Sequence, residues 1–114
     1  MPDLRMNALQ RLQNWYLSQC NGDWEHAYGV TIGTLDNPGW TLEIELTDTS
    51  LSNKPFATLI VDSDDPQEWI HCSVRDEKFV GACGPQKLEA VIEIFLRWAE
   101  GTLNYQEPSI GNAR

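Results

Sequence analysis

From Tyr28 to Leu46 the chain alternates between apolar and polar residues, and that period of two leaves little choice but a pair of half-buried strands. Tyr28, Val30 and Ile32 fall on one side, with Gly29, Thr31 and Gly33 on the other. After Asp36-Asn-Pro-Gly39 the alternation resumes, with Trp40, Leu42, Ile44 and Leu46 set against Thr41, Glu43 and Glu45. Successive side chains of a strand point to opposite faces, so this hairpin has one dry face and one wet face. Pro38-Gly39 suits the two central positions of a type II turn.

The rest of the chain supplies a cover for the dry face. Leu4, Ala8, Leu9, Leu12, Trp15, Tyr16 and Cys20 recur at steps of three and four, which predicts an amphipathic helix over about 4–19. Arg5, Arg11, Gln13 and Ser18 fall largely off that stripe. Asp3 is placed to cap the helix, and Asn21-Gly22 to stop it. A polar loop with Asp23, Trp24, Glu25 and His26 leads into the hairpin. Residues 47–55 lack periodicity and read as a loop, followed by a third strand over about 56–62.

The acidic connection Asp62-Ser-Asp-Asp-Pro-Gln-Glu68 precedes a fourth strand, Trp69 to Arg75, with Ile70, Cys72 and Val74 on one face and Trp69, His71 and Ser73 on the other. Asp76-Glu77 turns the chain into a fifth strand, Lys78 to Cys83. A second helix over about 86–100 buries Leu88, Val91, Ile92, Phe95, Trp98 and Ala99, with Gly101 as its stop. Residues 102–114 have no pattern, although Leu103 and Tyr105 are able to dock. The expected fold is α+β: one two-layer domain over 1–114 with its core at about 4–100. It has about five antiparallel strands, with an N-terminal and a C-terminal helix packed on one face.

Charge narrows the function. Against 8 basic residues stand 17 acidic ones, a formal charge of -9, so a nucleic-acid backbone would be repelled and a basic protein attracted. Such a field raises the association rate of a cationic partner by roughly 10 to 1000-fold. Cys20, Cys72 and Cys83 are an odd set without a signal-peptide pattern, which points to the reducing cytoplasm. No apolar run approaches the roughly 18 residues that span a bilayer, so no membrane is expected.

Three chemistries are open to the polar residues. A metal centre from Cys20, His26, His71, Cys72 and Cys83 has poor spacing, and adjacent His71 and Cys72 must point to opposite faces of a strand. No metal and no cofactor is expected. A thiol nucleophile at Cys20 or Cys83, with His26 and Asp23, conflicts with the place of Cys20 on an apolar stripe, where a thiol is inert. A paired-carboxylate hydrolase using Asp23 and Glu25, or Asp62, Asp64, Asp65 and Glu68, needs a carboxyl with a raised pKa in a cleft. The alternatives to a binding protein are therefore a small cytosolic enzyme with a Cys/His or carboxylate site in the 20–40 loop, or an acidic regulatory binding domain. The wet face of the sheet, carrying Thr31, Thr41, Glu43, Glu45, Trp69, His71 and Ser73, is the candidate binding patch, with the Trp24 loop and the Asp36 turn at its edges.

The segment Leu12-Gln-Asn-Trp-Tyr-Leu-Ser-Gln-Cys-Asn-Gly-Asp-Trp-Glu-His26, with Gly29-Val-Thr-Ile32 and Thr34-Leu-Asp-Asn-Pro-Gly-Trp40, resembles the immunity protein 53 family of bacterial polymorphic-toxin systems. The likeness continues through Lys54-Pro-Phe56, Trp69-Ile-His-Cys72, Phe79, Gly84-Pro85 and Ile94-Phe-Leu-Arg-Trp98, covering roughly 7–100. Asn21 departs from the acidic residue expected there and keeps the helix-stop chemistry. The resemblance implies a non-catalytic cytoplasmic protein that binds and neutralises a cognate toxin. The acidic charge points to a basic toxin, such as a cationic nuclease. Asp23, Trp24, Glu25, His26, Asp36, Glu43, Glu45, Trp69 and His71 are the partner-binding candidates; Asp23, Trp24, Glu25, His26, Asp36, Asn37 and Trp40 are equally able to serve as fold determinants, with Asp36 and Asn37 closing the hairpin turn.

Overall fold

The computed structural model describes residues 6–62 and 64–103. The elements run α1 (Ala8–Gln19), α2 (Trp24–Ala27), β1 (Val30–Leu35), β2 (Gly39–Glu45), β3 (Leu59–Val61), β4 (Ile70–Arg75), β5 (Lys78–Cys83) and α3 (Leu88–Glu100). The five strands form one antiparallel sheet in the order β1-β2-β5-β4-β3. The α+β class and the sheet with an N-terminal and a C-terminal helix are as expected, while the strand order is not simply sequential. The chain leaves β2 for the far edge, and β3, β4 and β5 then run back to pair with β2.

Alternation places Leu42, Ile44, Cys72, Phe79 and Cys83 on the face under the helices, all fully buried. The turn of the β4–β5 hairpin puts Asp76 and Glu77 at φ 54 and 62, the pair of positive angles that a type I′ turn requires and that matches the strands' twist. The β1–β2 turn departs from the type II expectation. Asn37–Pro38 is cis, and Gly39 lies inside β2, paired with Leu35, where a Cβ would sit 2.3 Å from the Cys83 carbonyl oxygen.

Asn7 rather than Asp3 caps α1: its Oδ1 accepts from the Gln10 amide at 2.8 Å, while the Gln10 side chain accepts from the Asn7 amide at 3.0 Å. Asp3, Leu4 and Tyr105 lie outside the described residues. Ala8 and Leu12 are buried as the stripe predicts, but Leu9 and Tyr16 remain 51% and 38% exposed, because α1 overhangs the edge strand β1. Arg11 is the larger correction. It turns towards α3, where Nη1 meets Glu93 and Nη2 meets Glu100, each at 3.0 Å, while Arg97 Nε also donates to Glu93. Beneath this network Trp15 packs edge-on against Phe95 with ring centres 5.0 Å apart. Gly101 stops α3 at φ 79, its N–H donating to the carbonyls of Arg97 and Trp98.

Burial opposes ionisation of Glu93, yet the hydrogen bonds from Arg11 and Arg97 prevail and hold its carboxyl below the ordinary 4.5. A carboxylate with a depressed folded pKa contributes stability above its unfolded pKa and loses it as pH falls through the folded one. Arg11→Met is therefore expected to flatten the loss of stability between about pH 5 and 3, read from urea midpoints across that range. An unchanged slope would assign the effect to Arg97.

The connection between β2 and β3 is not the passive loop its composition implies. Leu51 inserts into the core at 3% exposure, Pro55 accepts a hydrogen bond from the Trp98 indole at 2.8 Å, and Lys54 Nζ donates to the Trp98 carbonyl at 2.6 Å. Phe56 stacks edge-on against Phe79 and Trp98. Buried indole N–H groups need an acceptor, and this loop provides it.

Candidate functional site

The face of the sheet opposite the helices carries short side chains at its centre and charges around them. The register aligns Gly33, Thr41, Ala82, His71 and Ile60 in one row across the strands. Thr31, Glu43, Val80 and Ser73 form the next, and Glu45, Lys78 and Arg75 a third. Thr31, Glu43, His71 and Arg75 are exposed. At the β1 side the face dips into a polar depression of about 330 Å³ lined by Tyr28, Thr31, Glu43, Glu45 and Lys78. Lys78 Nζ lies 3.3 Å from Glu45, which leaves Glu43 without an ion pair among the described residues.

Across the face, Trp69 and His71 meet edge-on at 5.3 Å, and His71 Nε2 is 3.0 Å from Asp62 Oδ1. Ile60, 58% exposed, sits opposite His71. Glu43 and His71 lie on β2 and β4, with β5 between them and one row apart, a separation of roughly 12 Å from strand spacing and rise. Glu43, Glu45, Trp69 and His71 therefore share one open surface.

The 20–27 segment is built differently from its sequence expectation, because it holds one helical turn. Asn21 Oδ1 accepts from the amides of Asp23 and Trp24, and the Glu25 carboxylate accepts from those of Asn21 and Gly22, both at 2.9 Å. Backbone N–H groups, its own and those of Asn21 and Gly22, hold Glu25 below the usual carboxylate range. Trp24 is 3% exposed, its indole donating to the Thr47 carbonyl at 2.9 Å while Trp15, Tyr16 and Tyr28 surround the ring. Of its two possible roles, partner contact and fold determinant, Trp24 takes the second: it closes the core between α1 and the β2–β3 loop. Glu25 ties its own loop.

Asp23 and His26 stay exposed, with neighbouring Ala27 bordering the depression beside Glu43. Asp36 is exposed at the tip of the β1–β2 hairpin, at the opposite end of the strands from Glu45. Lys78 and Arg75 join the face in addition to the residues expected there, and the alternation of Lys78, Val80 and Ala82 with Phe79, Gly81 and Cys83 carries that signal.

The two buried thiols are not poised for nucleophilic work. Burial pushes the Cys72 thiol up to about 12 and raises that of Cys83, while Cys20 Sγ donates to the Tyr16 carbonyl. His71 and Cys72 lie on opposite faces of β4, and among the described residues no group of three or more His, Cys, Asp or Glu side chains converges as a metal site. What the open face offers is a shallow surface with mixed charge and partly exposed rings, suited to contact another macromolecule.

No helix of the described residues is long and apolar enough to cross a membrane. Comparison with curated proteins and with solved structures returns no match. The family model for immunity protein 53 matches residues 9–100, a span running from the first turns of α1 to the last residue of α3. The chain belongs to the immunity protein 53 family.

Proposed function

We propose that this chain is a non-catalytic immunity protein that binds a basic bacterial toxin domain in the cytoplasm and blocks it by occlusion. It would belong to a polymorphic-toxin system, and a cationic nuclease domain fits its charge. Family membership carries the reading, and the molecule's own electrostatics supply its detail. A formal charge of -9 would steer a cationic partner, and the exposed Glu43, without an ion pair among the described residues and beside the Glu45–Lys78 pair, supports a contact on this face. Asp23, His26, Trp69 and His71 lie on or beside the same surface, with Asp36 at its far end.

Co-expression with the toxin domain encoded beside this chain is the test. Relief of growth arrest with co-purification of the pair supports the reading; a pair that neither co-purifies nor relieves growth arrest overturns it. Charge reversal at Glu43 and Glu45 together is expected to lower the association rate by roughly tenfold at low salt, with the difference shrinking as salt is added. An unchanged rate in stopped-flow measurements would move the contact away from this face.

A further inference from the structure

β1 ends the sheet on one side, and no described strand pairs with its outer edge. Its six residues, Val30–Leu35, contain neither a charge nor a proline. The Glu45 amide donates to the Gly29 carbonyl at 3.1 Å, so Gly29 begins the set whose backbone groups face β2: Gly29, Thr31, Gly33 and Leu35. The residues between them, Val30, Ile32 and Thr34, direct their N–H and C=O groups outward. Edge strands are ordinarily blunted by shortness, charge, proline or a bulge. The opposite edge, β3, has three residues and runs into Asp62, whereas β1 has no such device.

The two flanks of this edge differ in chemistry. On the helix side an apolar groove of about 230 Å³ lies between α1 and β1, lined by Leu9, Leu12, Tyr16, Val30 and Ile32, with Ile32 itself 41% exposed. On the open side lie Thr31 and the depression with Glu43 and Glu45.

We infer that β1 is a strand-docking edge: an extended segment of the basic toxin pairs with Val30–Leu35 as an additional strand. Its apolar side chains turn to the groove beside α1, and its Lys or Arg side chains turn to Glu43. Main-chain hydrogen bonds to Val30, Ile32 and Thr34 give the affinity, and the two flanks select a segment that alternates apolar and cationic residues. A cation opposite Thr31 has only a short side chain to reach across. A second copy of this chain is the poorer occupant, because it brings another charge of -9 and a second Glu43 to the same edge. The inference rests on the toxin-binding reading above.

The complex with the toxin domain encoded beside this chain tests it. The amide hydrogens of Ile32 and Thr34 are expected to exchange readily in the free chain and at least about a hundredfold more slowly in the complex. Thr34→Pro removes one outward N–H without touching the β2 ladder and is expected to weaken binding about tenfold or more, while Thr34→Ala stays within about twofold. Unchanged exchange at Ile32 and Thr34, which needs no variant to fold, overturns the inference, as does full affinity in a folded Thr34→Pro. A free chain that is dimeric, and becomes monomeric in Thr34→Pro, assigns the edge to a second copy and overturns it too. Wild-type chain that does not bind the toxin domain removes the immunity reading and this inference together, an outcome distinct from binding that ignores Thr34→Pro.

Discussion

Trp98→Ala is expected to cost about 3 to 5 kcal/mol in urea unfolding at 25 °C, the usual range for deleting a buried aromatic side chain. Trp98 is 2% exposed, and its ring meets Phe56 at 5.3 Å, Phe95 at 6.1 Å and Phe79 at 6.4 Å between centres. Truncation leaves a cavity at the meeting point of α3, β5 and the β2–β3 loop. It also leaves the Pro55 carbonyl without the indole N–H and removes the ring beneath Lys54 Nζ, 5.6 Å from its centre. Trp98→Phe separates the contributions: it keeps most of the apolar contact and loses the hydrogen bond, for about 1 to 3 kcal/mol. Since small domains hold only about 5 to 15 kcal/mol in total, the alanine variant stands near the edge of folding. A change below about 1 kcal/mol would mean that α3 is not anchored through this ring.

The loop that Trp98 anchors explains why strand order was not legible. Period-two alternation identifies which side chains share a face, and it located Lys78–Cys83 to the residue and Ile70–Arg75 to within one. It says nothing about which strand lies beside which. That depends on the path of residues 46–58, where a lone Leu51 and Phe56 among Asp, Ser, Thr and Asn give no period to read, yet both reach the core. Arg11 was missed for a related reason. A charged residue off a helical stripe reads as solvated, but its partners Glu93 and Glu100 lie 82 and 89 positions away. The Gly101 stop, by contrast, depends on local backbone conformation alone and was visible.

The candidate surface was legible where it rests on alternation and obscure where it rests on a fold-back. Glu43, Glu45, Trp69 and His71 take the wet face because parity decides it. Trp24 stands in a run of polar residues, Asp23 to His26, and hydropathy gives no sign that its indole turns inward to the Thr47 carbonyl. The hydrogen-bonded ring of Asn21 and Glu25 around the loop amides accomplishes that turn. It also accounts for the density of polar residues there without invoking catalysis or metal binding. What the loop leaves exposed is its rim, Asp23 and His26, beside a buried ring.

Gly81→Ala is expected to destabilise by about 1 to 3 kcal/mol although alanine ordinarily favours a strand over glycine. Gly81 lies on the helix face of β5, between Leu42 of β2 and Cys72 of β4, and it is the slot into which α3 descends. A Cβ there would sit 2.5 Å from Val91 Cγ1, 3.4 Å from Phe79 Cε1 and 3.7 Å from Cys72 Sγ. Val91 cannot swing away, because a β-branched residue in a helix is confined to essentially one χ1 rotamer and this one is wholly buried. The clash must therefore move α3 or the strand, and close packing of the interior spreads that shift. Val91→Ala alone also destabilises, by about 1 to 2 kcal/mol for two lost methyl groups. In Gly81→Ala with Val91→Ala the new methyl occupies the vacated space, so the double variant should be more stable than the sum of the singles by about 0.5 to 3 kcal/mol. Additive effects in a urea-denaturation cycle would show that Gly81 is not there to admit the helix, and the packing of α3 on the sheet would need another explanation.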